Sequence, residues 1–199
     1  MSFTPEDFAR LYATHRDPWG YERHWYESRK RALTLAMLTR RHYPRIFEPG
    51  CSIGVLSEAL VERCDAFLGW DVSASAIDAA KRRLQGYPQA RLECHALPEA
   101  WPQGRFDLIV FSELGYFLDR AGLRRVIEQV SRSLAPDGEL LACHWRHPIE
   151  GGELGGDEVH RQLARQLGLP CLARHREKDL LLELWSRDER SPARREGLI

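Results

Sequence analysis

Three groups of residues in this 199-residue chain have the types and spacing to do chemistry. The first is Glu48-Pro49-Gly50-Cys51-Ser52-Ile53-Gly54, an ExGxxxG loop between the short apolar run RIFEP and a helical pattern. Glycines there let the backbone turn tightly and approach a ligand, and the following helix start presents oriented N–H groups. The spacing is not the GxGxxG that cradles a dinucleotide pyrophosphate, which disfavours a nicotinamide dehydrogenase. The second is Asp71 in Gly69-Trp70-Asp71-Val72-Ser73, 21 positions after Gly50. A carboxylate at that edge can accept both hydroxyls of a ribose, or it can cap the next helix. The third is Glu113, after Ser112 at the end of FDLIVFSEL, with His144 and His147 at the end of GELLACHWRH. Glu113 can hold an ammonium or hydroxyl, or be an exposed loop acid. His144 and His147 can supply a general base or substrate ligand, or be hydrogen-bonded loop histidines. HxxH without a third ligand is a poor zinc site, so no metal is expected.

These residues need a scaffold that brings strand ends together, and the sequence supplies one from Arg45 onward as alternating strand and helix patterns. RIFEP, AFLGWDVS, ARLECHAL, FDLIVFSEL and GELLACHW read as strands, FDLIVFSEL being apolar enough to lie buried on both faces. VLSEALVERC, SASAIDAAKRRL with Ser73 or Ser75 as N-cap, residues 120–134 and residues 157–167 read as helices. CLARHREKDLLLELWSR reads as two strands meeting near Lys178 and Asp179, which must pair as an antiparallel hairpin. The pattern is that of an α/β sheet with helices on both faces, in which ligands bind at the carboxyl ends of the strands. Residues 187–199 are polar and expected to be loose.

Residues 1–44 form an expected helical arm, with a short helix around Asp7 to Tyr12 and a longer one from about Trp25 to Arg41, where Pro44 interrupts the pattern. Through Arg45 this segment holds nine Lys or Arg against five Asp or Glu. The whole chain balances at 29 of each sign, so nucleic acid is not an expected partner. Apolar runs no longer than a strand argue against a membrane span. The five cysteines are odd in number and never in CxxC spacing, and the N-terminus lacks a signal-like apolar run, so a reducing cytoplasm is the expected setting.

With the loop, Asp71 and the strand alternation together, residues 45 to 186 resemble the class I S-adenosylmethionine-dependent methyltransferases. EPGCSIG is similar to their first motif, Asp71 to their ribose-binding acid, and Cys94 to Trp101 to the loop bordering the adenine. The resemblance implies a Rossmann-like three-layer sandwich around a mostly parallel seven-stranded sheet of order 3-2-1-4-5-7-6, in one domain. It implies S-adenosyl-L-methionine as cofactor, held by Glu48, Gly50, Cys51, Gly54, Asp71, Val72, Ala96, Leu97 and Ser112, with Trp19 from the arm. Arg29 is a candidate for the cofactor carboxylate, because guanidinium pairs bidentately with such groups. DPWGY followed by WYESRKRALTLAML further resembles the NodS group, which N-methylates a deacetylated amino sugar.

Methyl transfer is an in-line displacement, so the protein must align donor and acceptor and exclude water. Trp25, Glu113, Tyr116, His144 and His147 are the expected acceptor-side residues, with Glu113 and His144 in catalytic roles. The expected acceptor is a small molecule, most readily an amine. O-methylation by a stronger base, or a cofactor-binding module without catalysis, are the alternatives. The expected assembly is a monomer or homodimer, with neither nucleic acid nor membrane as partner.

Overall fold

A computed structural model describes residues 3–199. The arm folds as α1 (Pro5–Thr14) and α2 (Trp25–Met37), after which β1 (Tyr43–Pro49) begins the alternation. It continues through α3 (Val55–Val61), β2 (Cys64–Asp71), α4 (Ala74–Arg83), β3 (Ala90–Cys94), β4 (Phe106–Ser112), a single 3₁₀ turn (Gly115–Phe117), α5 (Arg120–Ser133) and β5 (Leu134–Trp145). Then come α6 (Gly156–Gln166), the hairpin β6 (Cys171–Arg176) and β7 (Leu180–Ser186), and a short α7 (Pro192–Arg195). The sheet order is β3-β2-β1-β4-β5-β7-β6, parallel through the first five strands and antiparallel at β5/β7 and β6/β7.

The period of two along each strand separates the two cores. Ile46, Leu108, Val110, Leu141 and Cys143 face the layer made by α2, α3 and α4. Phe47, Ile109, Phe111, Leu140 and Ala142 face α5 and α6, which bring Leu123, Val126, Ile127, Val159 and Leu163. α2 stops four residues earlier than the arm pattern implies, and Pro44 lies inside β1 instead of ending the helix. Pro44 is tolerated there because pairing with β4 begins only at Ile46, so no ladder bond calls on the Pro44 nitrogen.

The tail carries a short helix. Ser191 caps α7 with its side chain, and Arg195 reaches Asp188 at 2.9 Å, at the end of the sheet opposite the strand termini of interest. At the other end, α1 lies across the carboxyl edge, where Tyr12 packs with Ile53 of the glycine loop and Ala76 of α4.

Candidate active site

The loop after β1 is pinned to the end of β2: the N–H groups of Gly50 and Cys51 both donate to the Trp70 carbonyl, at 2.7 and 2.9 Å. Gly50 has φ +74°, and a Cβ there would stand 3.3 Å from the Leu114 side chain. Gly54, φ +78°, is the N-cap of α3, and a Cβ on it would lie 3.1 Å from the Cβ of Ala80. Both positions therefore combine a left-handed backbone with close approach of a neighbour, a combination for which glycine is suited.

Asp71 is buried at the tip of β2, and its carboxylate accepts the Ser52 and Ser73 N–H groups at 2.9 Å each. Ser73, not Asp71, caps α4, its hydroxyl accepting from the Ala76 N–H. Two accepted bonds leave lone pairs on a carboxylate that offers about four acceptor positions. Burial raises the Asp71 acid to about 6, against the opposing pull of its backbone donors. Glu48 is more strongly affected: burial pushes it up to about 8, against the Ser57 hydroxyl that donates to it at 2.5 Å.

Above these groups opens a cavity of about 660 Å³. One wall carries Gly50, Asp71, Val72, Ala96 and Leu97; the arm closes another with Tyr12, Trp19, Tyr21 and Tyr26; the loop after β4 adds Glu113, Tyr116 and Phe117. The arm is latched to the glycine loop, for the Tyr12 hydroxyl lies 2.5 Å from the Ser52 hydroxyl and accepts from the Trp19 indole at 3.3 Å. A smaller recess shares Lys30, Gly50, Ser52 and Glu113 with the cavity and adds Glu48, Cys51 and Ser112.

The interior of the arm side holds a charged cluster. Lys30 is buried on α2, 2.9 Å from Glu27 and 3.2 Å from Glu113. Burial opposes its charge, yet Glu113, Cys143 and Glu27 raise the ammonium above its ordinary range. Glu113 itself stands at φ +54°, a conformation that costs a non-glycine residue of order 1–3 kcal/mol. Its N–H is anchored on the Cys143 carbonyl at 2.8 Å, and the Tyr116 hydroxyl donates to its carboxylate. The buried Tyr26 hydroxyl, on the cavity wall, has no hydrogen-bond partner among the described residues.

The cavity thus gathers Trp19, Gly50, Asp71, Val72, Ala96, Leu97, Glu113 and Tyr116, and the recess gathers Glu48, Cys51 and Ser112. It does not gather the rest. Arg29 forks onto Glu177 at 2.8 and 2.5 Å and fastens α2 to the β6–β7 turn. Trp25 is 77% exposed and lines neither space. His147 projects to Asp179 at 2.5 Å, and Gly54 shapes the loop from behind. His144 is wholly buried on the α6 face of β5, where its Nε2 accepts the Gly115 N–H at 3.1 Å, so it is not placed to deprotonate a ligand in the cavity. Strand parity carries the signal: His144 shares the face of Leu140 and Ala142, which pack against α5 and α6. Lys30 and Glu27 are not among the residues expected from the sequence, which offers Arg29 and Trp25 from α2 instead. Glu27, Lys30 and Thr34 form a stripe at i, i+3 and i+7, and all three are buried.

A family model described as a methyltransferase domain matches residues 46–138. A solved Pseudomonas syringae protein assigned as a methyltransferase is 51% identical, the match covering 82% of this chain and 100% of that one with a TM-score of 0.74. The chain belongs to the class I S-adenosylmethionine-dependent methyltransferases. Within that family the methyltransferase is similar to Nodulation protein S of Rhizobium tropici, 30% identical over 63% of this chain. The match spans 53% of that relative's length, about half. N-methyltransferase NodS of Bradyrhizobium japonicum WM9, solved with S-adenosyl-L-homocysteine, shares the fold at 24% identity, with a TM-score of 0.82 over 91% of this chain and 96% of its own.

The cofactor of the methyltransferase is S-adenosyl-L-methionine, and the residues present fit it. A buried carboxylate with spare lone pairs suits two ribose hydroxyls, Val72, Ala96 and Leu97 offer an apolar wall for a base, and the Lys30 ammonium lies where a carboxylate-bearing tail can reach it. Because hydroxyls bind the ionised form of Asp71, affinity for S-adenosyl-L-homocysteine is expected to rise between pH 5 and pH 7, through the Asp71 acid at about 6. Titration calorimetry at several pH values checks this, and an affinity equally strong at pH 5 and 7 would contradict the assignment.

Proposed function

We propose that the protein transfers the methyl group of S-adenosyl-L-methionine to the nitrogen of a small-molecule amine, an amino sugar being the first class to test. The observation that carries the proposal is the Glu113 carboxylate, held by a residue with left-handed backbone conformation on the wall of a cavity that also carries Glu27 and four tyrosines. The bound cofactor supplies an electrophilic methyl group on a sulfonium. Glu113 orients the amine by accepting its N–H and takes up the proton lost on alkylation. Tyr116 and Lys30 hold the carboxylate in place, and the unpartnered Tyr26 hydroxyl offers a further polar contact to the acceptor. Tyr12, Trp19 and the rest of the arm exclude water from the aligned pair. The resemblance of DPWGY and WYESRKRALTLAML to the NodS group, which N-methylates a deacetylated amino sugar, supports the amino-sugar class. O-methylation needs a strong base, and His144 is wholly buried with both nitrogens engaged, by the Gly115 N–H and by His160.

The test is incubation with S-adenosyl-L-methionine and a panel of glucosamine-ended oligosaccharides alongside N-acetylated and hydroxyl-only analogues, read by mass spectrometry. A mass gain of one methylene only on free amines is the expected result; transfer to hydroxyls alone would overturn it. With an accepted amine, Glu113→Gln is expected to lower kcat by roughly 100-fold, the scale of one lost proton acceptor, while S-adenosyl-L-homocysteine affinity stays within about threefold. Unchanged kcat would remove Glu113 from the mechanism.

A further inference from the structure

Behind the Glu113 loop runs a chain of buried polar groups. The Gly115 N–H donates to His144 Nε2 at 3.1 Å; His144 Nδ1 faces His160 Nε2 at 3.1 Å; His160 Nδ1 faces Glu183 at 2.7 Å; and the other Glu183 oxygen receives the Arg174 guanidinium. The three side chains come from β5, α6 and β7, and each is no more than 3% exposed.

The chemistry of this chain has one direction. A backbone N–H can only donate, so His144 Nε2 must present a lone pair, and the proton of the neutral ring sits on Nδ1. That proton must be given to His160, whose Nε2 is then the acceptor and whose Nδ1 carries the N–H offered to the carboxylate. Every group is satisfied when both rings are neutral and Glu183 is ionised. Reversing one tautomer sets two donors face to face, either between the rings or at Gly115. Burial and the neighbouring His160 and Lys30 all hold His144 below its ordinary range, in keeping with the neutral ring. Glu183 is held below the usual carboxylate range, burial opposing this and the bonds from His160 and Arg174 prevailing.

We infer that His144, oriented by His160 and Glu183, is a positioning residue that fixes the loop carrying Glu113 and Tyr116 against the cavity. The loop has little room to choose otherwise. A Cβ on Gly115 would stand 2.5 Å from Val159 and 3.0 Å from His144 Nε2, so the backbone lies directly on α6 and the imidazole. The Tyr116 ring, whose hydroxyl donates to Glu113, packs edge-on to His144 at 5.4 Å. The sheet therefore grips the loop from below at Gly115, while Glu113 reaches the ligand space above. The functional weight of this grip rests on the acceptor-binding reading of Glu113, whereas the grip itself can be measured without any acceptor.

The experiment is NMR at pH 7 on the intact chain with 15N-labelled histidine and backbone. Both His144 and His160 are expected as Nδ1–H tautomers with unprotonated Nε2, and the Gly115 amide as slow to exchange. His144→Phe keeps an aromatic ring beside Phe111 and Tyr116 but removes the acceptor. It is expected to speed Gly115 exchange by roughly 10- to 100-fold, as loss of one buried acceptor would, and to shift the amide signals from Glu113 to Phe117. His144→Gln restores a carbonyl acceptor and is expected to recover most of that protection, a rescue that loss of general stability would not produce. An Nε2–H proton on His144 in the native chain, or native Gly115 protection in His144→Phe, would overturn the inference. Should the Phe variant fail to fold, the native tautomers decide alone. Correct tautomers together with a fully active Glu113→Gln would leave the grip standing and remove Glu113 from the transfer step.

Discussion

Replacing Asp71 with alanine is expected to weaken S-adenosyl-L-homocysteine binding by about 100-fold or more while the folded protein persists. Two hydroxyl bonds to an ionised carboxylate are worth about 1.5–3 kcal/mol each, so losing both accounts for the fall. The effect on stability is the balance of opposing parts. The native acid lies above its unfolded value, at about 6. Its contribution to folding is thus fully present below the unfolded carboxylate pKa and lost as pH rises through 6, so at pH 7 the buried charge destabilises the ligand-free protein. Alanine removes that charge but also leaves the Ser52 and Ser73 N–H groups without their acceptor. These offset, and a change of only a few degrees in melting temperature is expected. Calorimetry with S-adenosyl-L-homocysteine, paired with a thermal melt at pH 7, checks both parts. Affinity within threefold of native would remove Asp71 from the ribose site. A melting temperature that collapses in step with affinity would show that its main task is to hold the loop.

Lys30→Met is expected to cost about 3–5 kcal/mol in denaturant unfolding at pH 7, the scale of breaking a buried ion pair from one side. Methionine fills much of the lysine volume, so the loss is electrostatic: Glu27 and Glu113 remain buried and face each other with no cation between them. The native ammonium lies above its unfolded value, so its contribution is fully present below the unfolded lysine pKa and fades only in strong alkali. Adding Glu27→Gln should return a large part of the lost stability, because it removes one of the two stranded charges. A double variant no more stable than Lys30→Met would mean that the cluster is not coupled. Lys30→Met losing less than about 1 kcal/mol would mean that water, not the ammonium, compensates the carboxylates.

The sheet order and the cofactor loop were legible because both rest on local rules. Alternating strand and helix periods imply a parallel sheet with covered faces. Gly50 and Gly54 mark a left-handed turn at a strand end, and Asp71 follows at the next strand tip. Val72, Ala96 and Leu97, which the family resemblance implies, line the cavity. Residues chosen for their chemical type alone fared differently. Arg29 was a plausible anion ligand, but an acid 148 positions away in sequence claims it. His147 is claimed by Asp179 in the same way. A guanidinium or imidazole pairs with whichever carboxylate the fold delivers, and sequence distance carries no trace of that meeting.

By itself, then, the sequence determined which strand ends meet and that the glycine loop and Asp71 stand together at them, because strand period, turn glycines and the Gly50 to Asp71 spacing are properties of contiguous chain. Tertiary structure alone decided the polar cluster around Glu113. It placed Lys30 from α2 between Glu27 and Glu113, turned Glu113 into a left-handed conformation under the Cys143 carbonyl, and set His144 behind the loop as a backbone acceptor. Those outcomes follow from desolvation and hydrogen-bond satisfaction among groups from four separate elements. Each buried charge or donor takes the partner that packing brings within reach, and packing is settled only when the whole sheet has closed.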